Sequence, residues 1–81
     1  MTESEKIKIK EWEEHCNKIM ELGRRIYKLS VFLDENVEKL SDSEYASYEK
    51  SMYMLRDMKK LLMEKNRELS ELAVKLGVIP F

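Results

Sequence analysis

The chain predicts an all-α fold, an antiparallel two-helix hairpin with coiled-coil-like packing, and three observations point there. Among 81 residues there are only two glycines and one proline, whereas Glu, Lys, Leu and Met abound, the composition of long helices. Apolar residues recur at alternating three- and four-residue intervals through two segments of nearly equal length. Between the segments lies Leu40-Ser41-Asp42-Ser43-Glu44, in which Ser41 and Glu44 have capping-box spacing. The Ser41 hydroxyl is placed to accept from the Glu44 N–H, the Glu44 carboxylate from the Ser41 N–H, and Leu40 and Tyr45 flank the cap as a hydrophobic staple. The chain is thus expected as a single domain over 1–81.

The first segment is expected to be helical over about 3–38. Trp12, Ile19, Ile26, Leu33 and Leu40 recur every seven residues, interleaved with Ile9, Cys16, Gly23, Ser30 and Val37. Together they form a 3-4 seam, widened by Leu22 and Leu29 on one side and by Met20 and Tyr27 on the other. The opposite face carries Glu14, Lys18, Glu21, Arg24, Arg25, Lys28, Glu35 and Lys39. Small residues at Cys16, Gly23 and Ser30 hollow the seam. A mid-helix glycine costs about 1 kcal/mol against alanine, so Gly23 is read as a close approach by another backbone or a bulky side chain, against the alternative of an idle glycine.

The turn is expected at 39–41 and the second helix over 42–76. Its seam reads Tyr48, Leu55, Leu62, Leu69 and Leu76, with a companion row of Tyr45, Met52, Lys59, Asn66 and Ala73. Polar Lys59 and Asn66 at seam positions fix register or oligomer state, unless Lys59 snorkels outward. Met54, Met58, Leu61 and Leu72 add a second apolar strip. Gly77 is a C-cap signal, and Pro80 cannot continue a helix. The apolar tail, Val78-Ile79-Pro80-Phe81, is read as docking rather than fraying.

Two rods about 50 Å long touching along one line bury only a stripe each. A lone hairpin therefore leaves much of Trp12, Tyr27, Phe32, Met54, Met58 and Leu61 in water, and exposed patches of that kind mark interfaces. A homo-oligomer is expected, a dimer closing a four-helix bundle or something larger. Its packing candidates are Trp12, Cys16, Ile19, Gly23, Ile26, Leu33, Leu55, Leu62, Asn66 and Leu69.

Charge and chemistry exclude several function classes. Residues 1–40 carry 8 Lys/Arg and 9 Asp/Glu, and residues 41–81 carry 7 of each, so neither half is a basic arm for duplex nucleic acid. The single cysteine forms no internal disulfide and fits a reducing compartment. The charged N-terminus has no secretion-signal core, and no apolar run spans a bilayer, so a cytoplasmic protein with no membrane partner is expected. His15 and Cys16 are adjacent and point about 100° apart on a helix, which denies them a nucleophile pair. No ligand set for a metal and no catalytic constellation is found. The chain is read as a non-enzyme without cofactor. Glu11/His15, Glu21/Arg25 and Glu35/Lys39 have the spacing of attractive helical pairs.

One cluster invites a function. If position i lies level with about 81 − i across the turn, Arg24, Arg25 and Lys28 meet Arg56, Lys59 and Lys60, with Tyr27 and Tyr53 in the same belt. Such a ring suits an anion, a nucleotide or an acidic protein surface. With Glu21, Glu49, Asp57 and Glu64 nearby, an ordinary salt-bridged exterior is the reading placed ahead of it. Met54, Met58 and their neighbours either fill an irregular core or form an adaptable partner surface.

From Trp12 to Leu69 the chain resembles a family of short helical-hairpin proteins of crAss-like and other tailed phages. The likeness lies in Lys28-Leu29, Phe32-Leu33, Leu40-Ser41-x-x-Glu44, then Met54, Met58, Leu62, Glu64 and Arg67; the stretch after Leu69 departs from it. The family has no assigned activity, so the resemblance implies origin and architecture. The design is also similar to phage sponge proteins, oligomeric hairpins that sequester cyclic nucleotide signals of bacterial immunity, although their ligand motif is matched to no residue here. The expected function is an oligomeric phage-type interaction protein, in the host cytoplasm, that binds and blocks a host defence component stoichiometrically. The alternatives are a sponge holding an anionic nucleotide at the belt and a structural coiled-coil assembly factor.

Overall fold

A computed structural model describes residues 1–79, which form three helices and no strand: α1 (Glu3–Asn36), α2 (Asp42–Lys65) and α3 (Arg67–Lys75). The chain is all-helical. Thr2 starts α1 with a capping box absent from the expectations above. Its Oγ1 accepts from the Glu5 N–H at 3.1 Å, and the Glu5 carboxylate accepts from the Thr2 N–H at 2.8 Å. α1 stops at Asn36, two residues short of expectation, where the Asn36 amide donates to the Phe32 carbonyl at 2.8 Å. Asparagine's short amide competes for backbone groups in this way, which makes it a natural helix terminator. The reversal accordingly occupies residues 37–41 rather than 39–41.

The Ser41 capping box opens α2 as the spacing predicts, with Glu44 N–H to Ser41 Oγ at 3.1 Å and Ser41 N–H to the Glu44 carboxylate at 3.2 Å. The single helix expected over 42–76 is instead two helices, divided at Asn66. Asn66 keeps helical angles (φ −82°, ψ −5°) and an N–H bond to the Leu62 carbonyl at 2.9 Å. The interruption is therefore a local distortion and not a turn. At the far end Gly77 adopts φ +75°; the Val78 N–H bonds to Ala73 O at 2.9 Å and the Gly77 N–H to Val74 O at 3.1 Å. That pair of bonds is a Schellman motif, and its left-handed residue favours glycine. Val78 and Ile79 are half-buried. The part of the tail expectation that concerns Pro80 and Phe81 lies outside the described residues.

α1 packs against both α2 and α3. Contacts pair Phe32 with Tyr48, Gly23 with Lys59, His15 with Asn66 and Trp12 with Ser70, so residue numbers rise on one side as they fall on the other. The core is a thin line of Ile9, Leu22, Leu33, Met52 and Ala73. Leu22, expected at the seam's margin, is the most enclosed large side chain. A straight helix of 3.6 residues per turn drifts about 20° per heptad, so a strict seven-residue row leaves the contact line and a neighbouring row enters it. The same drift leaves Trp12, Cys16, Ile19, Ile26, Leu55, Leu62 and Leu69 half-buried. Val37, placed in the turn, is largely exposed.

The molecule measures 55 × 19 × 15 Å, with a radius of gyration of 17.3 Å. A compact chain of this length has one of about 12 Å. Its accessible surface is 6504 Å², whereas a compact monomer of this mass exposes about 5,100 Å².

Candidate functional site

The one buried polar side chain among the described residues is Asn66, 3 % exposed, and it organises a cluster between α1 and the α2–α3 junction. With the proton on His15 Nδ1, that nitrogen donates to Asn66 Oδ1 at 3.1 Å, and Asn66 Nδ2 donates to Cys16 Sγ at 3.6 Å. Ser70 Oγ donates to the Asn66 carbonyl at 2.9 Å and accepts from Trp12 Nε1–H at 3.1 Å. His15 Nε2 stands 3.8 Å from the Glu11 carboxylate. Asn66 makes no side-chain cap to α3, because its amide is turned across to α1. No buried side-chain N or O atom among the described residues lacks a partner. Trp12, Cys16 and Asn66 were legible as seam residues; His15 and Ser70 were not, since neither sits in a heptad row.

The cluster holds a cysteine, a histidine and an asparagine, yet it is not arranged for nucleophilic chemistry. Asn66 stands between His15 and Cys16, and each meets the amide rather than the other. An imidazole must reach the thiol directly to take its proton. A cluster joined in this way positions helices: it fixes which turn of α1 faces the α2–α3 junction.

The belt residues are brought to one level of the rod but divided over separate concavities. Arg56, Lys59 and Lys60 line an open depression of about 750 Å³ together with Ile26, Met63 and Val74 and with Glu64, Arg67, Ser70 and Glu71. Arg24, Tyr27 and Lys28 border another with Met20 and Gly23. Arg25 and Lys28 border a third with Leu29, Phe32 and Tyr48. The first two adjoin where Lys59 crosses Gly23: a Cβ built on Gly23 would lie 3.5 Å from Lys59 Nζ. Within the single chain Gly23 thus faces a flexible side-chain end in ordinary contact, with no neighbouring backbone within 4 Å of that Cβ.

The expected ion pairing of the belt is absent among the described residues. Pairs within 4.0 Å are Lys6–Glu3, Arg67–Glu71 and the His15–Glu11 contact. Glu21/Arg25 and Glu35/Lys39 do not form, and no carboxylate of the described residues lies within that distance of Arg24, Arg25, Lys28, Arg56, Lys59 or Lys60. Side chains this exposed gain little from pairing in water and lose rotamer freedom by it. Arg56 instead lies over the Tyr53 ring, 5.7 Å from its centroid, an exposed cation–π contact.

Met54, Met58 and Leu61, at helical i, i+4, i+7 spacing, form a separate exposed strip on α2. Met58 and Leu61 share a groove with Lys18, Leu22, Leu62 and Lys65. The methionines of α2 are mostly outside the core, with Met52 the buried exception. Among the described residues no group of three His, Cys, Asp or Glu side chains could hold a metal ion, and no helix is long and apolar enough to cross a membrane. No protein-family model matches the chain, and neither a curated protein nor a solved structure does.

Proposed function

We propose that the protein is a non-enzymatic interaction protein of phage type, a helical hairpin that oligomerises and binds and blocks a host defence component stoichiometrically. The observation that supports this reading is the surplus of accessible surface: 6504 Å² exceeds the compact expectation by roughly 1,400 Å². A standard interface removes about 800 Å² from each partner. The excess is therefore larger than one such interface and falls somewhat short of two. Its apolar part includes Tyr27, Tyr53, Met54, Met58, Leu61 and Met63, all exposed. Methionine adapts to irregular partner surfaces and tyrosine supplies rigid contact area.

A second reading, a sponge for an anionic nucleotide, is favoured by one observation. Among the described residues Arg56, Lys59 and Lys60 have no carboxylate within ion-pair distance, and with Arg67 they line a concavity that also holds Ile26, Met63 and Val74 and only two acids, Glu64 and Glu71. One assay separates the two. Met58→Asp with Met54→Ala, and Arg25→Glu with Arg56→Glu, are compared in a single phage-infection or partner-binding measurement. Loss of more than tenfold in the methionine set alone supports the blocker and rejects the anion site. Loss in the arginine set alone, with a nucleotide that raises the melting temperature of the unaltered protein, supports the sponge. Loss in neither leaves self-association as the better account.

A further inference from the structure

The contact register sorts the charges along the rod into blocks that the linear sequence conceals. Residues 18–28 lie level with 53–63, and this middle block holds seven Lys/Arg against two Asp/Glu. The turn end, 29–52, holds two Lys/Arg, namely Lys39 and Lys50, against six Asp/Glu. The far end, 1–17 with 64–79, holds six against eight. The formal charges are thus −2, +5 and −4 from the termini to the turn.

We propose that a second copy of this chain docks antiparallel and staggered, so that each acidic turn end lies against the other's basic middle. The inference rests on the oligomeric part of the function proposed above. In-register parallel pairing sets every block against its like. Centred antiparallel pairing sets middle on middle and one acidic end on the other. Only a shift brings opposite blocks together, and it does so twice in one two-fold arrangement. The middle and turn-end blocks are each about 16 Å long, roughly eleven helical residues at 1.5 Å each. The turn-proximal parts of the two rods therefore overlap over about 33 Å as four helices.

Such an interface is isologous, so it closes at two copies and does not grow into a filament. Apolar surface is present on both sides of the match: Phe32, Val37 and Tyr48 at the turn end, Tyr27, Met58 and Leu61 in the middle. Individual exposed ion pairs contribute little affinity, whereas juxtaposed like charges exclude competing registers. Charge selects the stagger, and apolar burial holds it.

A charge-swap experiment tests this, using four residues that are exposed in the single chain, Arg56, Lys60, Glu35 and Glu38. One variant carries R56E and K60E, the other E35K and E38K, and masses are measured by sedimentation at 0.05 and 0.5 M salt. The unaltered protein is expected as a dimer whose Kd weakens with salt. Each variant alone is expected to dimerise at least tenfold more weakly, and a one-to-one mixture to recover the dimer, since each reversed surface then meets its complement. Where circular dichroism shows a reversed chain has lost helicity, the glutamine pairs R56Q/K60Q and E35Q/E38Q give the same pattern at reduced amplitude. A dimer unaffected by either pair, or a mixture that does not recover, overturns the stagger while leaving oligomerisation intact. A monomer at every concentration overturns both.

Discussion

Asn66 commits both ends of its amide to α1, and the consequence is a single register between α1 and the α2–α3 junction. Replacing it with alanine removes the partners of His15 Nδ1 and Cys16 Sγ in a nearly sealed position. Leaving a buried donor unpaired costs about 1–3 kcal/mol, against a helix-propensity gain of about 0.5 kcal/mol. Asn66→Ala is therefore expected to lower stability by about 1–2 kcal/mol in urea titrations. The Trp12 Nε1–H bond to Ser70 should survive, because Ser70 is tied to the backbone carbonyl of residue 66, which alanine keeps. Unchanged stability would remove the Asn66 amide contacts from the account. Gly23 is the opposite case. A Cβ there meets only the end of Lys59 at ordinary contact distance, so Gly23→Ala should stabilise the protein by about 1 kcal/mol. A loss of stability would show instead that Gly23 faces a backbone in the assembled protein.

At the level of the elements, both long helices begin with reciprocal caps. The Ser41 N–H, and then the Ser41 hydroxyl, hold the Glu44 carboxyl below its usual range. Thr2 acts likewise on Glu5. A carboxyl depressed in the folded state contributes stability that is fully present above its ordinary value and lost as pH falls through the lowered one. Glu44→Gln is therefore expected to flatten the acid limb of the stability curve by bringing the neutral value down toward the acid one. Ser41→Ala should cost about 1 kcal/mol at neutral pH, with the folded helical content unaltered by circular dichroism. The cap at Ser41 was legible because its spacing is local and strict. The stop at Asn36 and the break at Asn66 were not: Asn36 lies outside both heptad rows, and Asn66 within its row reads only as a polar seam residue.

For the whole molecule, a core of five apolar side chains is thin for a chain of this length. Small domains are marginal even when compact, and this one is drawn out to 55 Å. Its stability is thus expected to depend on association, and the melting temperature to rise with protein concentration from one to one hundred micromolar. A constant melting temperature, together with a monomer mass of about 10 kDa by light scattering, would reject the oligomeric reading and leave the apolar strip as a partner surface alone.

Local chemistry in the sequence determined the helical class, the Ser41 cap and the Gly77 terminus, because each depends on residues within four positions of one another. The ingredients of the basic belt were also legible, as cations spaced at 24–28 and 56–60. Tertiary structure alone decided the rest. Helical drift moved the core line onto Leu22, and the packing of α1 turned the Asn66 amide away from α3 toward His15 and Cys16. It also split the belt into separate depressions and sorted charges that nearly cancel in each half of the sequence into a basic middle and an acidic turn end. The physical reason is that a side chain's face and neighbours follow from accumulated rotation over many turns and from what lies across the contact, neither of which a short window of residues contains.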